Sequence, residues 1–492
     1  MTALPAQPVV YEVNTRVWMG EWAARVGRPV DLGALPSEAW DEITPHGVDA
    51  VWLMGVWERS PEGRDIALRN APLRRSFTDA LPDLREEDIA GSPYCIRRYE
   101  PDAALGGDTG LTVARAELSS RGAGLLLDYV PNHVAPDSPW VREHPEHFVH
   151  GTPEALRLDP ASFLEVGDHV LARGRDPFFP PWPDVVQLNA FEPGMRAATA
   201  DLLARIGERC DGVRCDMAML LMNDVFAKTW GQSAGAPPER DFWPEVIGAV
   251  RERHPDMAFL AEAYWDLEWA LQQQGFGFCY DKRLYDRLLH EGPASVGAHL
   301  LAGEDYQRRL VRFLENHDEP RAADTLGPGK ECAAAVLSAT LPGATLWHEG
   351  QFTGRRVRLP VFLTRRPEEP EDGELRVFYT QLLAAVHDSG MRTGRWRLLE
   401  CTGWSDNPTH QSVLTWYWSG PAGRFVVAVN LSEGPAQGRI PLPAEELAPG
   451  AWTLHDLLSG ASYERPAEEL VGAGLYVGLE AWGAHLFTLR QA

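Results

Sequence analysis

GVRCDMAML, residues 212–220, is the stretch on which the reading of this chain turns. Val213, Cys215 and Met217 alternate with Arg214 and Asp216. That alternation predicts a buried strand with one face in the core and the other lining a pocket. An arginine two residues before an aspartate on one face can pair with it and hold the carboxylate ionised in one rotamer. An ionised, oriented carboxylate can act as a nucleophile. Taken alone, the segment fits a structural ion pair beneath a sheet equally well, so the flanking sequence decides.

Upstream, PVVYEVNTRVW (8–18) and GVDAVWLMGVW (47–57) read as strands, the second almost continuously apolar. Such runs suit a parallel sheet covered on both faces. A helical stretch lies near 36–44. Residues 58–108 are polar and rich in Pro and Gly, and read as an unusually long loop at a functional end. A helix over 111–121 leads into a third strand, AGLLLDYVPNH (123–133). Residues 134–190 are dense in Pro, His and Asp and read as an inserted subdomain. An amphipathic helix over 191–210 precedes the fourth strand, the Asp216 stretch.

Downstream, MAFLAEAYW (257–265), GFGFCYD (275–281), RLVRFLENHDEPR (309–321, strand plus loop) and GATLWHEG (343–350) continue the pattern, with a helix over 331–340 before the last. Strand and helix thus alternate eight times, which predicts a (β/α)8 barrel of parallel strands. After a charged loop at 365–374 and a helix to Asp388, the texture changes near Trp396 to short alternating runs split by Gly and Pro. That is an antiparallel β domain. The expected domains are a barrel over 1–133 and 191–394, the insertion at 134–190, and the β domain at 395–492.

The chain has 492 residues, 46 Lys and Arg against 70 Asp and Glu, and a formal charge of −24. This balance argues against nucleic acid and anionic membranes as partners and suits a neutral substrate. Some of the 18 tryptophans could stack on sugar rings, with most expected in the core. The six cysteines show no CxxC pair and read as buried free thiols. No membrane-length apolar run and no cleavable leader pattern is evident, so a cytoplasmic location is expected. Oligomeric state is left open.

Polar clusters fall at the C-terminal ends of the strands: Asp128 with Asn132 and His133, Arg214 with Asp216, Glu262, and His317 with Asp318. Active sites of barrel enzymes lie at that face. Carboxylates ending strands four, five and seven, beside Arg and His, point to one site. These segments resemble the four signature regions of the α-amylase superfamily, glycoside hydrolase family 13. DYVPNH resembles the first, GVRCDMAML the second, AEAYW the third and ENHDEP the fourth. WPDVVQLN (182–189) resembles the extra motif near the end of that family's inserted domain. YCIRRYEPDAALGG (94–107) resembles the segment that sets an aromatic ring under the sugar.

The resemblance implies Asp216 as nucleophile, Glu262 as general acid/base and Asp318 as transition-state stabiliser. It also implies His133 and His317 on sugar hydroxyls, Tyr94 stacked on the sugar, and Arg214 and Asp128 within the substrate-binding set. Retaining cleavage needs one ionised and one protonated carboxyl group. The apolar setting of Glu262 suits the second role. No metal ligands are assigned and no cofactor is required, with a structural calcium near Asn132 as an open option.

Two departures bear on specificity. The Lys-His pair that many α-amylases carry after the nucleophile is replaced by Met219 and Leu220, and Gly91 stands where many α-glucosidases have Asp. The expected activity is hydrolysis of α-glucosidic bonds in a small saccharide. Transglycosylation, sugar isomerisation or sucrose phosphorylase-type chemistry at the same site remain open. So does a catalytically silent barrel serving as a binding subunit.

Overall fold

The computed structural model describes residues 3–492. Its centre is a closed barrel of eight strands. In chain order these are β1 (Val9–Asn14), β2 (Ala50–Met54), β3 (Gly124–Tyr129), β4 (Gly212–Cys215), β5 (Ala258–Ala261), β6 (Phe278–Tyr280), β7 (Leu310–Arg312) and β8 (Ala344–His348). Each strand pairs in parallel with its sequence neighbours, and β1 closes against β8. The expected (β/α)8 architecture is the observed one. Burial on both faces is why these segments read as apolar runs rather than as alternating strands. Tight packing between strands shows at Gly212, where an added Cβ would lie 2.7 Å from Ala258 Cβ and 2.8 Å from Leu126 Cδ2.

Several expected strands are shorter than their apolar runs. The first ends at Asn14, not Trp18, because Thr15–Val26 is a helix capped by the Asn14 side chain. The fourth ends at Cys215, and Ala218–Leu221 coils into a short 3₁₀ turn. Apolar residues there are buried without belonging to the sheet.

The expected long loop at 58–108 is a correction. It holds two helices, Pro61–Arg69 and Ala71–Ala80, and a strand, Ile96–Pro101, paired antiparallel with Trp57–Arg59. Ser60 and Asn70 cap the helices through their side chains, and each helix has proline in its first turn. The Ser-Pro and Asn-Ala-Pro sequences are therefore helix starts, not loop markers.

Over 133–190 lie two short antiparallel pairs, His133–Val134 with Val186–Gln187 and Phe163–Val166 with His169–Ala172. From Arg395 the chain builds a six-stranded antiparallel sheet and a separate two-stranded ribbon, Ala436–Ile440 with Leu475–Leu479. The sheet docks on the helix Pro328–Thr340 that precedes β8, where buried Trp418 donates its indole N–H to Thr340 O at 2.8 Å. All six cysteines are free, but only Cys95, Cys210, Cys215 and Cys279 are buried. Cys332 and Cys401 are partly exposed, contrary to the expectation that all six lie inside. Among the described residues no helix is long and apolar enough to cross a membrane.

Candidate active site

Asp216 and Glu262 each sit one residue beyond the end of a barrel strand, still held by the ladder. Asp216 N–H donates to Tyr129 O at 2.8 Å, and Glu262 N–H to Cys215 O at 3.0 Å. Arg214, fully buried in β4, binds both carboxylates. One terminal nitrogen donates to Asp216 Oδ1 at 2.6 Å, and the other forms an ion pair with Glu262 Oε2 at 2.7 Å. Its guanidinium carbon lies 5.2 Å from the Trp52 ring, 5.4 Å from Tyr94 and 5.7 Å from Tyr280. A buried cation needs such compensation, here from two anions and three ring faces.

Glu262 has further partners that fix its rotamer. Met217 N–H donates to Oε2 at 2.6 Å, and Tyr264 O–H donates to Oε1 at 2.9 Å. Met217 is held in the left-handed region, with φ of 43°, as are Trp265 and Asp266 just past Glu262. Non-glycine residues rarely adopt this conformation and are held there only by their surroundings. At Met217 the turn aims the amide at the carboxylate.

The third carboxylate belongs to a histidine relay. His317 Nε2 lies 2.9 Å from Asp318 Oδ2 and 2.7 Å from the Tyr94 hydroxyl, and its Nδ1 contacts the buried Glu12 carboxylate. Asp318 is the open member of the set, its side chain 45% exposed.

The protonation states separate accordingly. Burial raises Glu262 to about 7, with Arg214 opposing and the Asp216 and Asp318 charges adding to the rise. Burial also raises Asp216, against the pull of Arg214. Burial disfavours the His317 cation, but Asp318 and Glu12 outweigh it, so His317 stays protonated well above its ordinary value. For Asp318, the partial desolvation imposed by its neighbours is outweighed by the His317 cation, its hydrogen bond and Arg214, which hold it well below the usual carboxylate range. The set thus contains one carboxyl group that can carry a proton near neutrality and one held firmly ionised.

Of the residues singled out from sequence, Tyr94, Arg214, Asp216, Glu262, His317 and Asp318 are joined by direct contacts. Asp128 lies just beneath, where it receives Trp52 Nε1 at 3.1 Å and the Gly55 amide at 2.9 Å. Burial raises it to about 6. His133 stands on the insertion side, its ring 5.3 Å from that of Trp182, and burial lowers it to about 4, so it is neutral. Asn132 is turned into a reciprocal amide pair with Gln187, at 2.8 and 3.1 Å. Its side-chain oxygen thus serves another amide, a poor arrangement for calcium, which takes many oxygen ligands.

Sequence reasoning missed Glu12, Trp52, Tyr264 and Tyr280. Glu12 had a signal, a lone acid inside the apolar strand VVYEVN. The aromatics had none, since a ring beside a cation looks like any core ring until the strands close. A further cavity of about 400 Å³ opens beside Glu262, lined by Met217, Tyr264, Trp265 and Phe179 among others. Above it Phe178 and Trp265, both exposed, meet edge to face at 5.0 Å.

No protein-family model matches the chain. A curated relative, the α-amylase MalA of Haloarcula japonica, is 25% identical over 398 residues, covering 77% of this chain and 48% of that protein. The chain therefore spans about half the length of the curated relative it matches. A maltogenic α-amylase from Thermotoga neapolitana shares the fold with a TM-score of 0.70 and 19% identity, covering 99% of each chain. An α-amylase from Geobacillus thermoleovorans, solved with acarbose, has a TM-score of 0.68 and 16% identity, with 99% of each chain covered. The likeness to the α-amylase superfamily drawn from the signature segments is borne out by these comparisons.

Proposed function

We propose that this chain is a retaining α-glycosidase that hydrolyses α-glucosidic bonds in a small saccharide by double displacement. The observation that carries this reading is the Arg214 fork, which binds Asp216 and Glu262 at once while Asp318 stands ionised and open beside them. Retaining enzymes need two carboxyl groups close together, about 5–5.5 Å apart, one attacking and one donating. In the proposed cycle Asp216 attacks the anomeric carbon as Glu262 protonates the leaving oxygen. Water activated by Glu262 then releases the sugar from Asp216. Asp318 stabilises the positive charge that develops at the sugar ring, and His317 and Tyr94 orient the sugar. Asp128, occupied by Trp52 and Gly55, positions that floor rather than touching the substrate.

The likeness to α-amylases supports the substrate class, and the acarbose held by one structural neighbour supports a saccharide ligand. The test is a panel of α-glucosides of increasing length, assayed with and without phosphate, with the first-formed anomer followed by NMR. The expected result is fastest release from short substrates, phosphate-independent, with the α-anomer formed first. A β-anomer formed first overturns retention, and rapid loss of viscosity in starch overturns the small-substrate reading.

One observation favours transfer as a second outcome of the same chemistry. The exposed Phe178–Trp265 pair borders the cavity beside Glu262, where an acceptor sugar could replace water. Oligosaccharide products that grow with added acceptor, and fall in Trp265→Ala, support transfer. Glucose release unaffected by acceptor rejects it.

A further inference from the structure

The inserted segment carries a second group of donor atoms that the carboxylate site does not use. His144, Glu146 and His147 lie on one turn and each present one ligand atom, all within 4.8 Å of one another. His144 Nδ1 is 3.1 Å from Glu146 Oε1, and His147 Nε2 is 4.0 Å from the same oxygen. Glu192 Oε2 lies 3.9 Å from His147 Nε2 but stands outside this group of mutually close atoms. Four atoms at roughly 2.0–2.2 Å from a tetrahedral zinc ion stand roughly 3.3–3.6 Å from one another. The observed separations straddle that range.

Two features of the surroundings bear on this site. His147 has a side chain only 8% exposed, yet its buried Nδ1 has no hydrogen-bond partner. Its Nε2, aimed between Glu146 and Glu192, finds no acceptor within hydrogen-bonding distance either. Gly194 leaves the adjoining space open. A Cβ there would come within 2.9 Å of Glu192 Oε2 and 3.2 Å of His147 Nε2.

We infer that His144, Glu146 and His147 form a three-residue binding site for a divalent transition ion of the zinc class, with water completing the shell. Two imidazoles with a carboxylate suit that class better than calcium or magnesium, which prefer all-oxygen shells. Glu192, beside His147, caps the helix Pro193–Gly207 and accepts the Met195 amide. That helix leads directly into β4 and the Arg214–Asp216 pair. The site lies beside that helix and is independent of the chemistry proposed above.

The test uses the tag-free full chain, stripped with chelator and titrated with zinc sulfate by calorimetry, then with cobalt to read the visible absorption of a four-coordinate site. The expected result is one equivalent bound with a Kd of about 1 μM or tighter, a rise in Tm with saturating zinc, and a tetrahedral cobalt spectrum. His144 is half-exposed, so His144→Ala should keep its circular dichroism yet lose at least about tenfold in affinity together with the Tm response. Gly194→Ala should weaken binding in the same direction. A second histidine group on the surface, His46 with His387 and Asp388, is the control, and His46→Ala should leave binding unchanged. Absence of binding tighter than about 100 μM, full retention of binding in His144→Ala, or its loss in His46→Ala overturns the inference. Glycosidase activity is not the readout, so failure of the functional proposal leaves this result intact.

Discussion

At the scale of the residue, Arg214 sets the protonation of its two partners unequally. It donates a short hydrogen bond to Asp216, whereas Glu262 receives only an ion pair from it and lies deeper, 3% exposed. Asp216→Asn keeps the size and the hydrogen bond to Arg214 but cannot attack the anomeric carbon. We expect at least about a hundredfold loss in kcat on an activated aryl α-glucoside, a barrier increase of about 2.7 kcal/mol or more, with circular dichroism unchanged. Folded protein retaining more activity than that would remove Asp216 from the nucleophile role. The pH profile of kcat/KM tests the partner. Glu262 must be protonated to donate, so the rate should fall as pH rises through about 7. The acid limb should follow protonation of Asp216, and the two limbs report the pair rather than single residues. Linkage gives a parallel sign for folding. The raised Glu262 value contributes stability fully present below the unfolded carboxylate value and lost as pH rises through about 7. In Glu262→Gln the alkaline limb should disappear on substrates with good leaving groups, and its persistence would assign that limb elsewhere.

At the scale of the element, short strands leave little tolerance where they begin. Gly343 opens β8 with φ of +111°, and a Cβ there would lie 2.4 Å from Leu310 O of β7. Both the backbone conformation and the contact exclude a side chain. Gly343→Ala should lower stability by roughly 1–3 kcal/mol, read as a lower denaturant midpoint with an unchanged slope. A midpoint within error of the parent would show that the β7–β8 junction yields freely. The helix starts at Ser60 and Asn70 follow the same logic in reverse. There a local side-chain cap specified the element, although the composition resembled a loop.

At the scale of the molecule, the C-terminal sheet continues the barrel's outer packing. Trp416 and Trp418 share one hydrophobic core with the helices around the barrel. Arg308 also reaches across to Gly394 O at 2.9 Å. Trp418→Ala removes a fully buried ring and its hydrogen bond to Thr340, so a loss of roughly 3–5 kcal/mol is expected. Because the contact joins two parts of the chain, unfolding monitored by activity and by tryptophan fluorescence should then separate into two transitions. A single coincident transition at the parental midpoint would mean that the sheet is not anchored there.

Much of this was legible in the chain itself. Periodicity and apolar runs determined eight strands, their order and the change of texture near Trp396, because burial on two faces leaves a local signature. The spacing of polar residues at strand ends located Asp216, Glu262 and Asp318, since a barrel brings those ends to one face. Other features required the closed structure. The Arg214 fork to Glu262, the Glu12–His317 contact and the aromatic faces around the guanidinium each join residues far apart in sequence. None has a local pattern, because each depends on which side chains meet when β1 closes on β8. The left-handed turn at Met217 and the capped helices at 61–80 lie between these cases. Their residues are local: packing holds the Met217 turn, whereas side-chain caps at Ser60 and Asn70 start the two helices.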